Sequence, residues 1–140
     1  MSTPLSFLRR SVGDWSSERR YLFAPKFKPV NMTTQFKIDE LAYGVFQVVW
    51  DGQTSGTMEL TLDGDTLHRS RDYFGEGSHS SRVEMVDKDT IAMYTEYDGI
   101  RFREEIRYHE EDCFRHRYTV GINVKNGQLA LQGSYWERRL

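Results

Sequence analysis

Residues 90–108 read Thr-Ile-Ala-Met-Tyr-Thr-Glu-Tyr-Asp-Gly-Ile-Arg-Phe-Arg-Glu-Glu-Ile-Arg-Tyr. Asp98-Gly99 divides this stretch into two runs rich in β-branched and aromatic residues. An Asp-Gly pair between such runs is a strong hairpin signal, because both turn positions need a left-handed backbone. The same grammar extends in both directions. Thr34, Phe36 and Ile38 alternate with Gln35, Lys37 and Asp39, and Val45, Phe46, Val48, Val49 and Trp50 form a nearly continuous apolar run. Met58, Leu60 and Leu62 alternate with Glu59 and Thr61 before the turn Asp63-Gly64-Asp65. Further strands are expected at about 66–74, 81–86, 113–121 and 128–138. Gly75-Glu76-Gly77, Asp87-Lys88-Asp89, Glu110-Glu111-Asp112 and Asn126-Gly127 separate the runs. Turns spaced roughly 8–12 residues apart signify an all-β sandwich or barrel. Short links favour up-and-down antiparallel order. Closing about 9–10 such strands into a barrel removes two exposed edges and leaves an interior able to hold one small ligand.

The period-two pattern begins at Trp15. Before it, residues 3–12 suggest a short helix: Ser2 or Thr3 can cap it, Pro4 suits its first turn, and Leu5, Leu8 and Val12 share a face. Gly13 is expected to end it. Such a helix would plug one end of the barrel or pack outside it. The 140 residues are read as one domain, 1–140, with the helix at about 3–12 and the barrel at about 15–139.

Composition narrows the chemistry. At 38% apolar, 29% charged and a net charge of −2, the chain is neither disordered nor a generic nucleic-acid binder. Aromatics reach an unusually high 14%. The single cysteine, Cys113, permits no internal disulfide and no multi-cysteine zinc site. His68, His79, His109 and His116 lack metal-ligand spacing, so no metal is expected. No apolar run approaches the ~18–20 residues of a membrane span, and residues 1–15 do not read as a signal peptide. The chain reads as reduced and intracellular. Phosphate loops and nucleophile elbows are absent. Three acids beside Cys113 disfavour its use as a nucleophile.

The richest stretch for a site is Arg101–Tyr108 followed by Cys113–Thr119. Arg103, Glu105 and Arg107 alternate with Phe102, Ile106 and Tyr108; Arg115, Arg117 and Thr119 alternate with Phe114, His116 and Tyr118. A three-residue connection would set Glu105 opposite Arg115, whereas two or four residues would reverse that parity. The charged face is either solvated, with ion pairs worth under ~1 kcal/mol each, or turned inward to grip an anionic ligand. Arg69, Arg71 and Tyr73 form a second charged face, with Leu67. Closure of the barrel would bring Glu137 and Arg138 near Trp15 and Arg19.

Several blocks carry a resemblance. Ser6-Phe-Leu-Arg-Arg-Ser-Val-Gly-Asp-Trp-Ser-Ser-Glu-Arg19 resembles the opening of the S-type phycobiliprotein lyases. Arg69–Phe74, Tyr97–Arg107, Arg115–Thr119 and Gly133–Arg138 follow in the family's order. Two departures stand out. Arg20-Tyr21-Leu22-Phe23 replaces the Thr-Thr-His-His of phycocyanin-directed members and looks more like the phycoerythrin-directed branch. Arg115-His-Arg-Tyr-Thr119 replaces Arg-x-Arg-Gln-Thr. The resemblance implies a calycin (lipocalin-like) barrel that binds phycoerythrobilin, a linear tetrapyrrole, as substrate with no prosthetic group. It implies thioether attachment of that bilin to a cysteine of an apo-phycoerythrin subunit. It implies Glu105, then Asp72, as catalytic carboxylates facing the pyrrole nitrogens. Arg19, Arg71, Arg115, Arg117 and Arg138 become bilin contacts, and Trp15, Tyr73 and Trp136 become walls or barrel-end packing. The implied setting is cyanobacterial cytoplasm or plastid stroma. Assembly is left open between one chain, a homodimer and a heterodimer with a related lyase. The alternative readings are a bilin carrier without transfer, or one subunit of a two-protein lyase.

Overall fold

The computed structural model describes residues 2–70 and 79–140. A short helix, α1 (Pro4–Arg10), precedes ten strands: β1 (Gly13–Phe23), β2 (Pro29–Ala42), β3 (Val45–Gly52), β4 (Gly56–Asp63), β5 (Thr66–Arg69), β6 (His79–Asp87), β7 (Thr90–Tyr97), β8 (Ile100–His109), β9 (Phe114–Asn123) and β10 (Leu129–Arg139). Every consecutive pair is antiparallel, and β1 pairs with β10, so the barrel is closed and up-and-down. Asp98 and Gly99 both adopt positive φ (53° and 72°), the backbone that their two-residue hairpin requires. Of the strand expected at 66–74, only Thr66–Arg69 is strand; residues 71–74 lie outside the described residues.

The helix is shorter than expected. The Thr3 hydroxyl accepts from the Ser6 backbone N–H, and the Ser6 hydroxyl accepts from that of Thr3, a reciprocal cap. The helix ends at Arg10, and Gly13 opens β1 instead of closing α1. At Gly13 φ is 135°, and a Cβ there would lie 2.6 Å from Nη1 of Arg139. Glycine is therefore needed both for the backbone and for the approach of Arg139. That guanidinium donates to the carbonyls of Arg10 (2.6 Å), Val12 (2.7 Å) and Asp112 (3.0 Å). Arg10 donates to Asp112 (2.7 Å) and Asp89 (2.8 Å). Phe7 and Leu8 of α1 are buried in the core with Trp15, Phe36, Phe46 and Met58. Burying two such side chains contributes at most about 3–6 kcal/mol, enough to hold a seven-residue helix that would not persist alone. The helix thus closes one end of the barrel, beside the β8–β9 and β6–β7 turns. The opposite end carries the β1–β2, β3–β4, β7–β8 and β9–β10 connections.

Candidate functional site

The parity of the β8–β9 hairpin decides what faces the lumen. His109 pairs with Phe114, which leaves the four residues 110–113 as the connection. Glu110, Glu111 and Asp112 all take positive φ, and Arg10 holds Asp112 in place. Four residues reverse the parity of a three-residue link. Glu104 therefore stands opposite Thr119 on the inner face, and Glu105 opposite Tyr118 on the outer face.

A chain of ion pairs crosses the lumen. Arg69 Nη2 lies 3.0 Å from one Glu104 oxygen, and Arg117 Nη2 lies 3.5 Å from the other. Arg117 Nη1 is 3.8 Å from Glu137 Oε2, and Arg115 Nε donates to Glu137 Oε1 at 2.6 Å. Arg115 also donates to the Ser11 hydroxyl at 2.9 Å, linking the chain to the end of α1. The Arg117 and Arg19 guanidiniums lie 4.8 and 5.4 Å from the Tyr135 ring centroid. Four inward guanidiniums (Arg19, Arg69, Arg115, Arg117) thus accompany two carboxylates among the described residues that line or back the lumen.

Burial pushes the Glu104 pKa up, but Arg69 and Arg117 outweigh it and hold it below the ordinary carboxylate range. Glu137 behaves alike, with Arg115 and Arg117 opposing its burial. Both are therefore ionised at neutral pH. A carboxylate whose pKa is depressed on folding contributes stability above its unfolded pKa, and that contribution is lost as pH falls through the folded value. The denaturation midpoint in urea should drop steeply below about pH 4.5, where unfolded glutamates begin to protonate. Burial also lowers His116, so a smaller loss should begin as pH falls below histidine's usual ~6.5, and His116→Gln should remove only that first step.

The chain of ion pairs divides the interior. One hollow of about 50 Å³ is walled by apolar side chains including Phe36, Phe46, Trp50, Met58 and Ile106. A second, of about 40 Å³, is walled by Tyr97, Phe102, Leu131 and Tyr135. Arg69, Glu104 and Arg117 belong to the walls of both. Next to the second hollow, His79, Tyr97 and Phe102 stack in sequence at 4.0 and 4.8 Å. No group of metal-ligating side chains occurs among the described residues.

No family model matches the chain. Two curated proteins align along nearly its whole length. One, described as "Putative chromophore lyase CpcV" from Picosynechococcus sp., is 23% identical across 99% of this chain and 82% of its own. The other, "Putative phycocyanobilin lyase CpcS 2" from Nostoc sp., is 26% identical across 97% of this chain and 90% of its own. The solved S-type phycobiliprotein lyase CPES from Guillardia theta superposes with a TM-score of 0.74, covering 96% of this chain and 91% of that one at 17% identity. Along nearly its whole length the chain is similar to phycobilin and chromophore lyases. Its closed ten-strand barrel with one short helix is the calycin-like fold of that lyase.

Within this barrel the predicted site residues separate into three groups. Trp15, Arg19, Arg115 and Arg117 sit on the inner face. Glu105, Trp136 and Arg138 correct the expectation, because all three face outward. Glu105 is held outside by Tyr118 (2.6 Å) and Arg103 (2.7 Å), and burial there is outweighed by these partners, which lower its pKa. Trp136 is 51% exposed and stacks on His116 at 4.2 Å. It stands beside a shallow outer groove of about 500 Å³ shared with Glu18, Arg20 and Thr33. Arg138 pairs in register with Phe114 and Ser16 on the outer wall. Arg71, Asp72 and Tyr73 lie outside the described residues.

Glu104, Glu137 and Arg69 are the inward groups that the sequence-based choice passed over. One signal for Glu104 was present: it falls between Phe102 and Ile106 on the apolar face of its strand. A lone carboxylate there implies a buried, paired charge. For Glu137 the larger neighbour Trp136 misleads, since bulk favours Trp136 for the interior.

Proposed function

We propose that this chain binds a linear tetrapyrrole in the barrel lumen and assists its thioether attachment to a cysteine of a phycobiliprotein subunit. Phycoerythrobilin and a phycoerythrin subunit are the finer reading. The observation that carries it is the inward set of four guanidiniums against two carboxylates, beside stacked aromatic side chains. The net excess of two positive charges matches the two propionates of a bilin, and the aromatic walls suit its flat conjugated body. Arg19, Arg69 and Arg117 are the propionate partners in this reading. Glu104 takes the role first given to Glu105 and accepts from the pyrrole N–H groups. Because its pKa is held low, it acts as a fixed anion that stabilises a protonated, electrophilic pigment, not as a proton donor.

The two hollows are far smaller than the ~300–1,000 Å³ typical of small-molecule sites. The pigment therefore enters by opening the Arg69–Glu104–Arg117 bridges and exchanging them for its own propionates and N–H groups. The bond-forming step is an addition. The acceptor's thiolate sulfur bonds to the vinyl-type exocyclic carbon of the A-ring, the proton ends on the adjacent ring carbon, and nothing leaves. The lyase contributes orientation, exclusion of water and charge. Its own Cys113 lies at the helix-closed end, exposed in the β8–β9 turn. Cys113→Ser should leave transfer within about twofold of the parent, by acceptor fluorescence.

The phycoerythrobilin reading is supported by Arg20-Tyr21-Leu22-Phe23, while one relative's name refers to phycocyanobilin. The test offers each bilin with each apo-subunit, followed by a denaturing gel read by bilin fluorescence. A phycoerythrin-subunit band brighter than a control without the lyase, and lost when the acceptor cysteine is replaced, is the expected result. Bilin binding without any such band would make the chain a carrier. A band obtained only with a related lyase added would make it one subunit of a pair.

A further inference from the structure

The β1–β2 and β9–β10 connections differ in charge from the turns at the helix-closed end. The helix-closed end carries the turn sequences Asp63-Gly-Asp65, Asp87-Lys-Asp89 and Glu110-Glu-Asp112. At the opposite end, the β1–β2 and β9–β10 connections contain no acid. Residues 19–38 and 113–136 are free of Asp and Glu altogether. These connections instead present Lys26, Lys28 and Lys125, all exposed, among the exposed apolar side chains of Phe23 (39%), Val30 (45%) and Val124 (40%). Among the described residues, Asp51 lies on the β3–β4 side of this end and Asp98 in the β7–β8 turn, whose Gly99 carbonyl accepts from the Val124 N–H at 3.0 Å.

The two connections form one surface. The Ala24 N–H donates to the Ala130 carbonyl at 2.8 Å, and the Phe27 N–H donates to the Phe23 carbonyl at 2.8 Å. Asn123 Oδ1 accepts from the backbone N–H groups of Lys125 (2.9 Å) and Asn126 (3.3 Å). Pro25 and Pro29 flank the Lys26-Phe27-Lys28 tip. A surface tied in this way loses little conformational entropy on binding. Phe23 pairs in register with Leu131, a wall residue of the aromatic hollow, so the surface is continuous with the lumen.

We infer that this basic-apolar rim, Phe23–Val30 with Val124 and Lys125, docks the protein that accepts the pigment, through an acidic surface around an apolar patch on that protein. The inference rests on the proposed function: an acceptor's cysteine has to be brought to the end where the aromatic hollow lies. A second copy of this chain is a poor occupant, because a two-fold contact through the rim would set the lysines of one copy against those of the other. Basic loops steer an acidic partner and set its orientation, so the contribution should fall with salt.

The test measures binding of bilin-loaded protein to apo-phycoerythrin and apo-phycocyanin subunits by biolayer interferometry at 50 and 500 mM salt, and bilin affinity separately by absorbance titration. The rim variant is Lys26→Glu with Lys28→Glu and Lys125→Glu. A control of equal charge change places Lys37→Glu, Arg82→Glu and Lys88→Glu elsewhere on the barrel. Expected is at least a tenfold loss of subunit affinity in the rim variant at 50 mM salt, a smaller gap at 500 mM, and bilin affinity within twofold of the parent. An apolar variant, Val30→Ser with Val124→Ser, should weaken docking about equally at both salts. Equal losses in the rim and control variants would overturn the proposal. So would a parent that binds bilin but neither subunit, or one whose rim binds phosphatidylserine vesicles in preference to both subunits. A parent that binds a subunit through the rim but takes up no bilin would overturn the functional reading and leave the rim standing.

Discussion

Glu104→Gln should cost about 3–5 kcal/mol of stability, read from urea midpoints at pH 7, because it leaves Arg69 and Arg117 buried without their shared anion. Glu105→Gln, one residue along the chain, should cost about 1 kcal/mol. Its partner Arg103 is 39% exposed and solvent screens the pair. Transfer should separate the two more sharply. Removing a preorganised charge from a site of charge development typically lowers rate by 10²–10³. Acceptor labelling by Glu104→Gln should fall by about that factor, while Glu105→Gln stays within about threefold. Labelling is compared per folded molecule, with the folded fraction read by near-ultraviolet circular dichroism, because a loss of this size would exhaust the lower end of the usual ~5–15 kcal/mol. Equal effects of the two variants on labelling would remove Glu104 from the site and reopen the outer face of β8 as the reacting surface.

This pair also marks the limit of what was legible in the chain. Strands, turns, closure and the short helix follow from period-two alternation and from local turn chemistry, which are properties of neighbouring residues. Which face of β8 points inward is not local. It depends on whether three or four residues connect β8 to β9, and that depends on three consecutive left-handed residues, Glu110, Glu111 and Asp112, one of which is held by Arg10 from α1. One residue of difference reverses the face of every side chain along the strand. Arg115 and Arg117 on β9 fall on the inner face, yet the same alternation on β8 places Glu105 outside. Both strands carry charge on one face and aromatics on the other, so polarity alone gave no decisive contrast. The two buried glutamates are legible only after pairing partners are known, because a buried carboxylate is tolerated where guanidiniums from other strands meet it.

Ordinary alternation along β1 and β10 separates the two tryptophans placed together as ligand walls. Trp15 is fully buried, and its indole N–H donates to the Ser11 carbonyl at 2.9 Å, joining β1 to the residue that caps α1. Arg115 and Arg139 place their guanidiniums 4.9 and 4.3 Å from its ring centroid, and Phe36 stacks beside it at 6.4 Å. Trp15 is therefore the point where the core, the helix and the buried ion pairs meet. Trp15→Ala should remove about 4–5 kcal/mol, the upper range for a large aromatic lost from a core, and lower Tm by roughly 10–15 °C. Trp136→Ala removes a half-exposed side chain whose chief contact is the His116 ring, and should cost about 1 kcal/mol or less. Trp15→Phe distinguishes the two contributions of the buried ring. It keeps most of the apolar volume and a π-face for the guanidiniums but deletes the bond to Ser11, so it should lose about 1–2 kcal/mol. If Trp15→Ala cost no more than Trp136→Ala in parallel thermal melts, the closed end would not depend on this contact, and Phe7, Leu8, Arg10 and Arg139 would hold the helix without it.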